Sequence, residues 1–468
     1  MFNKILSVIN DCMYTYVLIF LLIGAGLWFT VRTRAVQIRG LRDALAILRE
    51  KAPKDRGEKP VSSFQALMIS TASRVGTGNI AGIATALAAG GPGAVFWMWV
   101  MALVGGASAF IESTLAQIYK VRDGAGTFRG GPSYYIERAL GRRGLGVAFS
   151  VALIACFAYG FNGLQAYNIS SALPYYVKDY AETLWPAVVG LVLAVLTGLV
   201  IFGGVHRIGF ITSFLVPVMA LGYIAMGLYM AVKNSAALPG VFAAIFEGAF
   251  DVRAVTGGFA GSAVVLGIKR GLFSNEAGMG SAPNAAASAD VSHPVKQGIV
   301  QVLSVFIDTL VICTTTAMML MTSGVEGQAG VLDGIPFVQA AVRTELGEWG
   351  IHFISAAIFL FAFSSLVGNY YYAESNIRFI KDRPLVLNAF RCTCLAAVFL
   401  GAQADFATVW NLADILMGCM AMINIFAIFL LGGIAVRALQ DYEAQKKQGK
   451  DPVFLASGIG LNNTDCWK

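Results

Sequence analysis

Arg74-Val-Gly-Thr-Gly-Asn79-Ile-Ala81-Gly82-Ile-Ala-Thr85-Ala86 and Arg270-Gly-Leu-Phe-Ser-Asn275-Glu-Ala277-Gly278-Met-Gly-Ser281-Ala282 lie 196 residues apart and align without a gap. Five of the thirteen positions are identical and Thr85 meets Ser281. At the same offset Ser108-Ala-Phe110-Ile111-Glu112-Ser113 meets Ser304-Val-Phe306-Ile307-Asp308-Thr309, so the relation covers at least a helix pair. Both copies set glycine and small polar residues inside apolar runs where a helix should continue. Gly76 and Gly78 each cost about 1 kcal/mol against alanine, and Arg74 costs several more if it faces lipid. A broken helix accounts for both facts. Its freed N–H and C=O groups are tolerated in a membrane only where they are buried in protein or line a wet cavity. The half-helix N-termini suit a carboxylate, and the exposed carbonyls suit a hard cation such as sodium.

Composition supplies the setting. Of 468 residues 57% are hydrophobic and 13% charged, with a mean hydropathy of +0.68. Soluble domains carry about 25% charged residues, so this chain presents apolar surface to lipid. It reads as an all-α polytopic membrane protein with about eleven spans: 14–31, 62–90, 92–118, 146–173, 186–202, 208–232, 257–290, 295–322, 351–377, 385–402 and 407–436. The self-similar unit is five spans. Five is odd, so the second copy enters from the opposite side, an arrangement typical of transporters. The chain divides into an extra N-terminal helix and basic connector (1–61), a first repeat (62–256), a second (257–436) and a polar tail (437–468).

Arg32 and Arg34 follow the first apolar run instead of preceding it, so that run reads as a retained helix and not a cleaved signal. Alternate connections hold 25 Lys and Arg on one side and 5 on the other, which predicts an N-terminus outside and a C-terminus in the cytoplasm, in the cytoplasmic or inner membrane. The net charge of +7 is thereby accounted for without a nucleic-acid partner. Residues 32–60 read as a solvated connector with Pro53, Pro60 and an amphipathic piece near Leu41 to Leu48. Residues 119–145 read as a turn at Phe128-Arg-Gly-Gly-Pro132 and a surface helix. The tail from Gln440 reads as polar and poorly ordered. The 7 cysteines show no Cys-x-x-Cys spacing and read as packing residues.

Ser63-Phe64-Gln65 through Ser73-Arg-Val-Gly-Thr-Gly-Asn79, Gly90-Gly-Pro-Gly-Ala-Val-Phe-Trp-Met-Trp99, Phe128-Arg-Gly-Gly-Pro132 and Leu272-Phe-Ser-Asn-Glu-Ala-Gly-Met-Gly-Ser-Ala-Pro283 resemble the alanine or glycine:cation symporter family. The resemblance runs from Tyr14 to about Val436. It implies sodium-coupled, in some members proton-coupled, uptake of alanine and glycine, on a five-plus-five inverted-repeat fold similar to that of the neurotransmitter:sodium symporters. It also implies that Thr77, Gly78 and Asn79 meet the substrate carboxylate, with Phe273, Ser274 and Asn275 meeting the substrate from the second break. Gln165 and Asn369 are substrate partners or interhelical polar contacts. For sodium the resemblance implies Asn79, the Ala72 and Val75 carbonyls, and the Ser364 and Ser365 hydroxyls, against back-bonding as the other reading of the serines. No cofactor beyond the transported ion and no obligate protein partner is indicated.

Small residues at both breaks leave room that Phe273 can close around a one-methyl side chain. Because one methyl discriminates by about 1 kcal/mol, alanine, glycine and serine should overlap as substrates. Intramembrane charges are paired or functional. Glu112 and Asp308 either bridge to Arg74 and Arg270 or titrate in a proton-coupled cycle, and Glu276 is a candidate for proton handling or influence on the cation. Lys269 and Asp414 receive no role. An intramembrane serine hydrolase centred on Ser108 lacks a base, since His206, His293 and His352 all fall near span ends. No Gly-x-x-x-x-Gly-Lys-[Ser/Thr] occurs, which removes a P-loop on this chain. A passive channel would not need two matched breaks.

Overall fold

The computed structural model describes residues 2–50, 61–123, 127–250 and 262–467. Among the described residues eight helices are long and apolar enough to cross a membrane: α1 (Asn3–Arg32), α5 (Gly93–Ile118), α7 (Arg143–Ser170), α9 (Arg207–Lys233), α13 (Pro294–Thr322), α15 (Glu348–Ile380), α16 (Pro384–Gly401) and α17 (Phe406–Lys447). Helix α8 (Trp185–Ile201) is apolar and shorter. Spans 62–90 and 257–290 each arrive in pieces: α3 (Ser63–Arg74) and α4 (Ala81–Gly90), then α11 (Ala263–Asn275) and α12 (Pro283–Ala286). Residues 257–261 of the latter span lie outside the described residues.

Both broken helices start on a serine cap. The Ser62 hydroxyl accepts from Gln65 N at 3.1 Å while Gln65 Oε1 accepts from Ser62 N at 3.0 Å, and Ser262 accepts from Val265 N at 3.3 Å. Each cap satisfies donors that a helix start leaves orphaned. Helices α5 and α13 flank the breaks, and α7 and α15 close the other side. A π-helical turn at Ile307–Cys313 within α13, a feature frequent at functional sites, contains Asp308.

Of the peripheral expectations, the amphipathic piece is present and others are corrected. The amphipathic connector forms α2 (Leu41–Arg49) with Ala44 and Ile47 buried, whereas Pro53 and Pro60 lie outside the described residues. The 119–145 connection contains a hairpin of β1 (Val121–Arg122) and β2 (Phe128–Arg129) followed by α6 (Pro132–Leu140). That helix is no surface helix, because Pro132 to Ile136 are buried and the Tyr135 hydroxyl bonds Asn424. Helices α10 (Leu238–Ala249) and α14 (Gly334–Leu346) occupy two further connections between the spans. The tail is ordered: α17 runs on to Lys447, and the chain folds back across the basic end. Phe454 N donates to Ser292 O at 2.9 Å, and the Trp467 indole donates to Gln117 O at 2.7 Å. Two buried aromatic anchors in a polar stretch overcome its composition.

Candidate functional site

The first break runs from Val75 through an extended Gly76 (φ −125°) into a single 3-10 turn, Thr77–Asn79. Its freed backbone donors are taken by side chains: Thr77 N donates to Gln165 Oε1 at 3.1 Å and Gly76 N to Asn79 Oδ1 at 3.2 Å. The Thr77 hydroxyl accepts from Asn168 Nδ2 at 2.8 Å. A Cβ on Gly76 would lie 2.3 Å from Ser365 Oγ, and one on Gly78 2.5 Å from the Phe273 ring. A side chain at either position would force Ser365 or Phe273 to move. In the second break Glu276 takes a left-handed conformation (φ 54°), followed by Gly278 and Gly280 at φ 86° and 84°. A left-handed non-glycine residue is strained and clusters at functional sites.

Asp308 joins the two breaks. Its carboxylate accepts from Asn79 Nδ2 at 2.6 Å, from Thr309 Oγ1 at 3.1 Å and from the Ser274 hydroxyl. Asn79 Nδ2 lies 3.1 Å from Ser274 Oγ. Asn79 turns its amide nitrogen to this buried spot, its Oδ1 being held by Gly76 N, so the oxygens gathered there are those of Asp308, Ser274 and Thr309. A second cluster lies beside it: the Ser73 hydroxyl sits 2.8 Å from Glu276 Oε1 and 2.7 Å from Asn369 Oδ1, and Ser281 donates to Glu276 Oε2 at 2.6 Å. Asn369 also donates to Asn162 Oδ1 at 3.0 Å. Asn275 Oδ1 accepts from Ala277 N at 3.0 Å, leaving its buried Nδ2 without a partner among the described residues.

The repeat-related acids act across the pair. Asp308 on α13 reaches Asn79 of the first break; Glu112 on α5 reaches the second, accepting from Gly278 N at 3.2 Å, Gly280 N at 3.0 Å and Asn424 Nδ2 at 2.6 Å. Neither bridges to Arg74 or Arg270, which removes the first of the two alternatives. Arg74 donates to Gln301 Oε1 at 3.0 Å and makes no ion pair among the described residues, although its charge acts through space on Glu112, Glu276 and Asp308. Arg270 pairs with Asp414 through Nη1 and Nη2 at 3.0 and 3.1 Å, and Lys269 joins the same carboxylate at 2.9 Å. Asp414 went unassigned from sequence because it lies 144 residues from Arg270 and outside the alignment. Charge balance among the few intramembrane ions was the available signal.

Of the serines on α15, Ser365 Oγ lies 3.0 Å from Ala72 O and 3.2 Å from Ser73 O. Ser73, instead of Val75, supplies the second carbonyl to that hydroxyl. Ser364 donates to Phe361 O at 2.9 Å and faces Met219 Sδ, so it back-bonds away from the break. Phe273 packs between Phe161 and Trp410, with ring centroids 4.7 and 5.3 Å away, and the Arg270 guanidinium stacks over Trp410 at 4.3 Å. Sequence reasoning missed Trp410 and Phe161, aromatics in apolar runs outside the aligned segments. His293 bonds Asp441 and His352 bonds Tyr176, so neither serves Ser108; the His206 side chain lies outside the described residues.

Residues 1–456 match the sodium:alanine symporter family model. The chain is 49% identical over 468 residues to the amino-acid carrier protein AlsT of Bacillus subtilis (strain 168), covering 100% of this chain and 98% of that one. It is 45% identical over 466 residues to the probable sodium/glutamine symporter GlnT of the same organism, covering 99% and 96%. Its fold matches that of MhsT, solved in complex with L-phenylalanine, at a TM-score of 0.58 and 15% identity over 88% of this chain and 94% of that one. Two broken helices meeting in the core of a five-plus-five inverted-repeat fold belong to a membrane carrier, not an enzyme, and the chain belongs to the sodium:alanine symporter family, whose members move amino acids in symport with sodium or protons.

Proposed function

We propose that this protein imports alanine and glycine together with sodium by alternating access around the paired breaks, with its N-terminus outside and its C-terminus in the cytoplasm. The observation that carries the reading is the single buried junction at which Asp308 holds Asn79 of one break and Ser274 of the other. A sodium ion among these oxygens would be felt by both half-helices at once. The substrate carboxylate would take the backbone N–H groups of Thr77 and Gly78, displacing Gln165 Oε1 from Thr77 N, and Phe273 and Asn275 would meet the rest of the molecule. The Ala72 carbonyl and Ser365 hydroxyl, now with Ser73 O, offer a second sodium position. Phe161, Phe273 and Trp410 pack ring against ring beside Gly78, bulk that favours a one-methyl side chain over that of glutamine.

A second reading, proton-coupled symport of the same substrates, is favoured by Glu276, a buried carboxylate contacted by hydroxyls from both breaks. Labelled alanine, glycine and glutamine uptake in proteoliposomes, under a sodium gradient and then a proton gradient, separates the two. Accumulation driven by sodium alone supports the first reading. Accumulation driven only by protons sinks the sodium assignment, and unaltered uptake by Asn79→Ala sinks the placement of the site.

A further inference from the structure

At the end of the molecule where basic residues concentrate, the last turn of α1, the turn after it and the last turns of α17 enclose a cavity of about 250 Å³. Arg32, Arg34, Arg39 and Lys447 line it against one acid, Glu443, over a floor of Val436 and Leu439. The acid is already engaged, because Arg39 Nη2 donates to Glu443 Oε1 at 2.9 Å. Arg39 is also tied to the chain behind it, donating from Nε to Arg34 O at 2.7 Å and from Nη2 to Thr33 O at 3.0 Å. These bonds hold a turn in which two consecutive non-glycine residues, Arg34 and Ala35, are left-handed at φ 53° and 55°. Arg34 and Lys447 have no acidic partner among the described residues, and Arg32 lies over the Trp28 ring at 5.4 Å. Directly along α1 from the cavity, Leu27, Trp28 and Val31 are 51%, 49% and 75% exposed, the surface that this membrane helix turns to lipid.

Cations at helix C-termini satisfy the helix dipole and the positive-inside bias without converging. Here the ends of two helices and a tethered arginine converge on one concave site that adjoins an acyl-facing surface. Basic pockets between membrane helices at that level hold anionic headgroups. We propose that this cavity binds the phosphate of an anionic phospholipid, whose acyl chains lie against Leu27, Trp28 and Val31. The occupant would brace the extra N-terminal helix against α17.

The full-length protein in detergent, analysed by native mass spectrometry with phosphatidylglycerol or phosphatidylcholine, tests the assignment. The wild type should retain phosphatidylglycerol preferentially, and Arg34→Gln/Lys447→Gln should weaken retention on the order of 30-fold, the effect of two cations at an anionic surface. Arg142→Gln/Lys381→Gln removes the same charge from exposed positions elsewhere at that end and should retain the lipid. Equal retention by the first variant, or equal loss by the second, overturns the site. Inorganic phosphate supplies the other arm: if low-millimolar phosphate displaces phosphatidylglycerol, the ligand is free phosphate and the lipid is overturned. Should the first variant fail to fold, the wild-type thermal midpoint decides. It should rise with phosphatidylglycerol and with neither phosphatidylcholine nor phosphate, and no rise refutes the proposal.

Discussion

Asp308→Asn is nearly isosteric and removes one negative charge from the junction of the breaks. In the wild type, Asn79, Ser274 and Thr309 all direct donors at this carboxylate. Hydrogen bonds to a charged acceptor are worth roughly twice neutral ones, about 1.5–3 against about 1 kcal/mol, so the substitution relaxes the cluster. The asparagine no longer pays the desolvation of a buried charge, which offsets part of that loss. For a bound sodium ion the change is one-sided. At an effective dielectric of about 20, a unit charge 4 Å away contributes about 4 kcal/mol, and the asparagine oxygen dipole recovers part of it. A net loss of roughly 2–3 kcal/mol corresponds to sodium half-saturation shifted about 30- to 150-fold upward. Alanine uptake by proteoliposomes, titrated with sodium at constant ionic strength, reads this directly, and a monodisperse elution profile checks folding. Half-saturation within twofold of wild type, with robust uptake, would refute the placement of sodium beside Asp308.

Four further outcomes follow from the same geometry. Gly78→Ala places a methyl 2.5 Å from a Phe273 ring held between two aromatic neighbours; overpacking of about 1–3 kcal/mol should lower alanine kcat/KM roughly 10- to 100-fold and glycine less, and equal losses would count against a shared pocket. Asp414→Ala leaves Lys269 and Arg270 buried without their carboxylate, a loss of about 3–5 kcal/mol that a lowered thermal midpoint should report. Trp467→Ala should release the tail, seen as faster proteolysis beyond Lys447 while helices above it stay protected. Burial pushes the His293 imidazole down to about 4 despite Asp441, so the folded state prefers it neutral. The stability this adds is present above about pH 6.5 and is lost as pH falls from there towards 4, and His293→Gln should flatten that decline in thermal midpoint.

The breaks were legible because two independent signals coincide at them. Glycines in an apolar run contradict a helix, and the 196-residue alignment repeats the contradiction. What the alignment could not carry is what each side chain touches. Glu112 and Arg74 are both repeat-related to a partner, which invited a bridge between acids and arginines. The folded chain instead sets Glu112 on two backbone amides and Asn424, sets Asp308 on Asn79 and two hydroxyls, and turns Arg270 to Asp414 on a helix with no counterpart in the aligned segments. Sequence spacing encodes which helices face each other, whereas rotamers and register select the partner atoms. Ser364 and Ser365 illustrate the limit: adjacent residues on one helix point about 100° apart, and only Ser365 meets Ala72. The tail failed for a different reason, since Phe454 and Trp467 are two aromatics in a polar stretch and only the surface that receives them makes them anchors.

The crossed use of the two acids bears on how transport would be coupled. Glu112 ties α5 to the second break through Gly278 and Gly280, and Asp308 ties α13 to the first break through Asn79. Four helices are thus linked as one body, with each broken helix held by the partner helix of the opposite repeat. The links differ in kind. Glu112 is engaged by two backbone amides and an amide side chain, a closed set that leaves little for a ligand. Asp308 is engaged by an amide nitrogen and two hydroxyls, and the hydroxyl oxygens can turn to a cation. Ion binding at Asp308 would therefore change the contact between the first break and α13 while the Glu112 contact stays fixed, and it would favour whichever conformation binds the ion more tightly.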